Sequence, residues 1–203
     1  MNRYDPATAL IVVDVQNDFA DPDGSLSVAG GAEVISVINA EIEAALAAGA
    51  KVFYTQDWHP PSTPHFEKDG GIWPVHCVAG TWGAQLHPDL RVEGPIVRKG
   101  ANGEDGYSGF TMRDPETGET QPTELDKLLA AAGVRKLIIV GLATDYCVLA
   151  TALDARTREY PTTVLAAGVR AVDLQPGDGE KALAELRLAG AFVDEGQEHR
   201  PVG

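Results

Sequence analysis

LIIVGLATDYCVLATALDA, running from Leu137 to Ala155, is the stretch that decides the fold. Leu137 to Val140 is an apolar, partly β-branched run suited to a buried strand, and Val148, Leu149, Ala152 and Leu153 then recur with helical spacing. A strand therefore passes into a helix within a few residues, and Cys147 stands at the turn. A thiol there faces the unpaired N–H groups and the positive end of the helix dipole, which favour the thiolate that attacks carbonyl carbon. That makes Cys147 a candidate nucleophile. The competing reading is a buried cysteine packed as a small hydrophobe.

Outward from this unit the chain alternates strand and helix signals. Leu10 to Val15 is a continuous apolar run carrying an acid, Asp14, near its end, as in a central parallel strand whose C-terminal end reaches a site. A helix follows with Val34, Ile35, Ile38, Ile42, Ala45 and Leu46 on one face and Gly49 as its stop. Lys51 to Thr55 reads as the second strand and Pro95 to Arg98 as the third, ending at Lys99. Thr123 caps a helix carrying Leu125, Leu128, Leu129 and Ala132, which Gly133 closes. Beyond the Cys147 helix come a strand at Thr162 to Ala166, a helix from Asp178 to Leu188 and a short strand at Ala191 to Val193. This order predicts an α/β fold: a three-layer, doubly wound, mostly parallel sheet with helices on both faces. Ligands bind off the carboxyl ends of the strands in such sheets, and Asp14, Asp57, Lys99 and Cys147 all fall at or just beyond a predicted strand end. Their convergence favours an enzyme over a structural protein.

The 203 residues, 44% of them hydrophobic, suffice for one substantial core, so residues 1–203 are expected to form a single domain. A formal net charge of −14 argues against nucleic acid or an anionic membrane as partner, because Lys and Arg hold such partners. No long uncharged apolar run and no signal-peptide layout is present, which gives a cytoplasmic reading. Cys77 and Cys147 are the only cysteines, too few for a disulfide framework.

Two segments interrupt the alternation and are too long to be mere connections. Asp57 to Leu90 holds four of the five histidines. Asp57, His59, His65 and His76 supply oxygen and imidazole donors suited to a divalent transition ion, although no zinc-finger or protease spacing is present and a histidine-bearing surface loop is the alternative. Gly100 to Pro122 is glycine-rich and carries Tyr107 and Phe110; it reads either as a segment that closes over a ligand or as an ordinary mobile loop. No histidine is close to Cys147 in sequence, so Asp14 is the best candidate for its base, with Lys99 holding both anions together in a partly dry site. The chemistry this suggests is attack on an amide, release of ammonia and hydrolysis of the resulting thioester. Taken singly, Asp14 also fits a loop-ordering acid and Lys99 a solvated strand end.

IVVDVQNDF at 11–19, QDWHP at 56–60, WPVHCVAGTWGAQL at 73–86, VRKG at 97–100, YSGF at 107–110 and GLATDYCV at 141–148 together resemble the nicotinamidase/pyrazinamidase branch of the isochorismatase-like cysteine hydrolases. The likeness runs from about residue 9 to 160, in the family's order. It implies hydrolysis of nicotinamide to nicotinate and ammonia in NAD salvage, with pyrazinamide as a second substrate. It also implies a triad of Asp14, Lys99 and Cys147, and an oxyanion hole from the backbone N–H groups of Ala143 and Cys147 beside a cis peptide preceding Ala143. Asp57, His59 and His76 would hold one divalent transition metal ion, zinc first, with iron or manganese as alternatives, and His65 stands where one such member has an additional histidine. In that family the ion binds the pyridine nitrogen and orients the carboxamide. Phe19, Trp73 and Tyr107 match positions lining the ring pocket of a small aromatic amide. Members are commonly homo-oligomers, although no interface motif stands in this sequence. Isochorismatase itself lacks the cysteine, and related hydrolases of other small amides or carbamoyl compounds, the alternative reading, usually lack the metal loop.

Overall fold

The computed structural model describes residues 3–196, so the domain expected over 1–203 extends past the described part at both ends. Its elements are β1 (Thr8–Val13), a short α1 (Asn17–Ala20), α2 (Val34–Ala47), β2 (Lys51–Asp57), β3 (Ile96–Lys99), β4 (Thr111–Arg113), β5 (Thr120–Pro122), α3 (Leu125–Ala131), β6 (Lys136–Leu142), α4 (Leu149–Thr157), β7 (Thr162–Arg170), α5 (Asp178–Leu188) and β8 (Phe192–Asp194). Six strands form one sheet in the order β3-β2-β1-β6-β7-β8. Every pairing in it is parallel. Among the described residues no helix is long and apolar enough to cross a membrane.

The β1 and β6 runs are continuous in apolar residues because both of their faces are covered. Leu10, Val12, Ile138 and Val140 pack with Val34, Ile38 and Ile42 of α2. Ala9, Ile11, Leu137 and Ile139 point the other way, against Leu129 of α3, Ala152 and Ala155 of α4 and Leu186 of α5. Each fully buried branched side chain contributes about 1.5–3 kcal/mol, so these two layers carry most of the stability. Gly49 ends α2 as expected: at φ 76° it takes the left-handed turn that lets the Ala50 N–H close back on the Ala45 carbonyl.

The observed strands run past the predicted ones, β2 to Asp57 and β7 to Arg170. Within the added part of β7 the register against β6 shifts between Ile139 and Gly141, and Gly168 lies there against the Val140 side chain, where a Cβ would stand 2.8 Å from it. The Gly100–Pro122 segment contains an antiparallel ribbon, β4 with β5. Each of its strands has three residues and no apolar alternation, so no period marks them. The turn between them is built by Asp114, whose carboxylate accepts the N–H groups of Glu116 and Thr117.

The chain leaves β1 in one direction, toward β2, and the other neighbour of β1 is β6. The strand order therefore reverses between β1 and β6, and a crevice opens off their carboxyl ends. Gly141 permits the close approach there: at φ 118°, a Cβ on it would stand 2.6 Å from the Val13 nitrogen and overlap the Val13 carbonyl.

Candidate active site

Asp14 follows β1 directly, in a left-handed conformation (φ 48°) that an aspartate tolerates. Lys99 closes β3, and Asp57 closes β2 in register with it. Cys147 sits on a π-helical turn, Thr144–Val148, between β6 and α4. The four side chains meet in the crevice. Lys99 Nζ lies 2.7 Å from Asp14 Oδ2, 2.6 Å from Asp57 Oδ1 and 3.7 Å from Cys147 Sγ, and it also donates to the Gly106 carbonyl. Donor atoms of Asp14, Asp57 and Cys147 lie within 4.8 Å of one another. The Thr55 hydroxyl donates to Asp14 Oδ1 at 2.7 Å, whereas Oδ2 pairs with Lys99 in charge but has no directed hydrogen bond. Oδ2 is thus the oxygen open to a proton.

Burial sets the proton affinities. It raises the Asp14 pKa to about 6 against the pull of Lys99, and the charge of Asp57 adds to the rise. Burial works against the Lys99 charge, but Asp14 and Asp57 outweigh it and keep Lys99 an ammonium. For Cys147 burial pushes the pKa well up, opposed by Lys99 and reinforced by the two carboxylates. The turn favours the thiolate while desolvation and the two carboxylates oppose it, so the sulfur depends on a base to take its proton, the role the sequence reading gave Asp14.

The metal-ligand candidates converge as well. Ring nitrogens of His59, His65 and His76 lie within 4.8 Å of one another, and Asp57 Oδ2 is 3.6 Å from His59 Nε2 and 4.0 Å from His76 Nε2. His59 is fully buried and neither ring nitrogen has a hydrogen-bond partner among the described residues, a state that costs about 1–3 kcal/mol per buried group unless something binds there. His76 Nδ1–H donates to the Pro74 carbonyl at 2.7 Å, leaving Nε2 as the free lone pair facing the cluster. Burial and then the neighbouring imidazoles lower the His65 pKa to about 3, and burial lowers that of His76. Burial works to raise the Asp57 pKa, but Lys99 and the histidines outweigh it and hold the carboxyl below the usual carboxylate range. Neutral imidazoles and an ionised carboxylate are the ligating forms, so these four residues fit a divalent transition ion.

A cavity joins the two clusters; Phe19, Trp73, Tyr107 and Ala143 line it together with Asp57, His65, His76 and Cys147. Its aromatic walls, with a few polar groups converging on it, suit a single flat ring. The Leu142–Ala143 peptide is cis. All of the sequence-predicted site residues therefore come together at one sheet edge. The Gly100–Pro122 segment lies against the site: Tyr107 lines the cavity and the Gly106 carbonyl accepts from Lys99. Three lining residues escaped the sequence reading: Tyr146, Leu26 and Val172. Tyr146 stands beside the nucleophile candidate, stacked on Tyr107 with centroids 5.9 Å apart and edge-on to Trp73 at 4.7 Å, and its place in GLATDYCV was a usable signal. Leu26 and Val172 carry none.

An isochorismatase domain matches residues 8–198. The chain belongs to the isochorismatase family. Within this family it is 38% identical over 206 residues to a nicotinamidase of Escherichia coli, covering 93% of this chain and 94% of that one. Its fold superposes on the pyrazinamidase of Pyrococcus horikoshii in complex with zinc with TM-score 0.82 and 39% identity, over 93% of this chain and 98% of the other. PnC1 from L. infantum, in complex with nicotinate, gives TM-score 0.82 and 36% identity over 93% and 92% of the two chains. The isochorismatase-like fold expected from the sequence is thus the observed one.

Proposed function

We propose that the chain is a metal-dependent cysteine amidohydrolase that converts nicotinamide to nicotinate and ammonia and also hydrolyses pyrazinamide. One observation carries the reading: the Cys147 thiol, with the Lys99 ammonium and the Asp14 carboxyl behind it, opens into an aromatic cavity whose wall includes Asp57, His65 and His76. The relatives' names and the zinc and nicotinate complexes of the neighbours support the same substrate class.

Asp57, His59, His65 and His76 would hold the ion, zinc before iron or manganese, and when bound it would supply a Lewis-acidic point that grips the ring nitrogen and orients the carboxamide. Phe19, Trp73 and Tyr107 line the cavity, where they would pack on the ring and exclude water. Asp14 Oδ2 takes the proton from Cys147 as sulfur attacks the carboxamide carbon, and the Lys99 ammonium offsets the charge that moves between them. The oxyanion is met by the backbone N–H groups of Ala143 and Cys147. Asp14 then gives its proton to the departing amine, so that ammonia leaves and a thioester remains. Water attacks the thioester while Asp14 again accepts a proton; the product departs as the acid and loses its remaining proton to solvent as nicotinate, and the proton on Asp14 returns to sulfur. An Asp14 pKa near 6 suits a group that must take and return a proton near neutrality.

Ammonia release from nicotinamide, pyrazinamide and a panel of aliphatic and ureido amides, with and without chelator, tests the reading. Turnover confined to the pyridine and pyrazine amides, lost on chelation and lost in Cys147→Ala with the fold retained, is expected. Preference for a ureido acid, or near-normal activity in Cys147→Ala, would refute it.

A further inference from the structure

The run Gln16, Asn17, Asp18 lies between Asp14 and Phe19, and neither the triad nor the ring pocket uses it. Gln16 is fully buried. At Asp14 the β1 backbone turns out of the sheet, and the peptide groups of Asp57 on the neighbouring strand lose their ladder partner on that side. The Gln16 side chain replaces it. Asp57 N–H donates to Gln16 Oε1 at 2.8 Å, and Gln16 Nε2 donates to the Asp57 carbonyl at 2.8 Å and to the Ala84 carbonyl at 2.9 Å. A primary amide has the donor and acceptor of a peptide group, so it can pair with both sides of one residue as a strand would. All donors and acceptors in the arrangement are satisfied and buried, which fixes the Asp57 main chain.

The same run also holds the far limb of the histidine segment. The Asn17 amide donates to the Trp82 carbonyl at 2.8 Å, and Asp18 Oδ2 accepts the Cys77 N–H at 2.7 Å, one residue beyond His76. Asp57 is the residue with most to lose from slack here. Its Oδ1 is committed to Lys99 at 2.6 Å, so Oδ2 faces His59 and His76 only while the main chain stays in place.

We propose that Gln16 is a positioning residue for the metal site: its side-chain amide holds the Asp57 peptide in the one pose that points Oδ1 at Lys99 and Oδ2 at the histidines. This rests on the proposed metal-dependent function. Partners behind a ligand are worth about 10–100-fold in metal affinity when removed, and Gln16 touches the ligand's own peptide groups.

Zinc affinity, measured by competition with a chromophoric chelator, reads the inference without reference to turnover. Gln16→Ala and the isosteric Gln16→Glu, which keeps the acceptor but loses both donors, are expected to bind zinc about 10–100-fold more weakly than wild type, and saturating zinc should return nicotinamide turnover to within about threefold. Gln56→Met is the structural control. It removes the other hydrogen bond to the Ala84 carbonyl, 2.8 Å long, and the acceptor of Arg98 Nε, without touching the Asp57 peptide partners, and should keep wild-type zinc affinity. Unchanged zinc affinity in both Gln16 variants, or an equal loss in Gln56→Met, overturns the inference. So does weakened affinity that zinc cannot rescue, which would put the defect at Asp14. A wild type that binds zinc yet spares nicotinamide refutes the substrate reading alone; one that takes up no zinc overturns both.

Discussion

Removing the proposed base while keeping its shape gives the sharpest test of the triad. Asp14→Asn preserves the volume and the bond from Thr55, but it cannot take a proton from Cys147. Burial holds the Asp14 pKa near 6, so at pH 7 about nine-tenths of the wild-type molecules carry the carboxylate and at pH 5 about one-tenth do. Wild-type kcat/KM should therefore fall about tenfold for each pH unit below about 6. A positioned base contributes typically about 10²–10⁴-fold, so Asp14→Asn should lose that much at pH 7 and lose the acid limb with it. The stability sign is also set. Moving a carboxyl from 3.8 to about 6 corresponds to about 3 kcal/mol; because the folded-state value is raised, that stability is present below pH 3.8 and is lost as pH rises through about 6. The base is thus ionised at working pH at the expense of folding. Initial rates of ammonia release from pH 4.5 to 8.5, with zinc held saturating, are the assay. A wild-type profile flat down to pH 4.5, or an Asp14→Asn rate within tenfold of wild type, would refute the assignment.

His59→Ala should reduce zinc affinity by about 100-fold or more in a chelator competition, because His59 Nε2 faces Asp57 Oδ2 at 3.6 Å with no hydrogen-bond partner among the described residues, which fits a ligand. Tyr107→Phe removes the acceptor of the 2.8 Å bond from Trp73 Nε1 and leaves that donor unpaired, so KM for nicotinamide should rise several-fold with kcat nearly unchanged, as steady-state kinetics would record. Gly141→Ala adds a Cβ against the Val13 backbone at φ 118° and should cost about 3 kcal/mol or more, measured by thermal denaturation.

The sheet was legible because parallel strands buried on both faces must be apolar throughout, and LIVV in β1 and LIIV in β6 are. Strand ends were less legible: Asp57 and Lys99 belong to β2 and β3 because ladder bonds, not hydrophobicity, carry those strands to their last residues. The triad and the four ligand candidates were legible because they are polar residues placed where a run of apolar ones stops. Tyr146, Leu26 and Val172 were not, since lining a cavity asks only for apolar surface and any loop can bring it. The electrostatic setting of Cys147 was legible only in part. Local sequence gives the helix end and its favourable dipole, but desolvation and the two carboxylates come from strands far away in the chain.

Lys99 is where the two halves of the site become one. It is fully buried with a carboxylate on each side, Asp14 at 2.7 Å and Asp57 at 2.6 Å, the first belonging to the proton-transfer group and the second to the histidine cluster. A buried cation between two anions is not there for stability alone, since apolar side chains of the same volume commonly serve a core as well or better. Its value lies in geometry. One ammonium pairs in charge with Asp14 and directs its three donors at Asp57, the Gly106 carbonyl and Cys147 Sγ, and thereby fixes the sulfur relative to the histidines and to the segment that carries Tyr107. A substrate gripped at the histidine end is then presented to sulfur at a distance that neither cluster could set by itself.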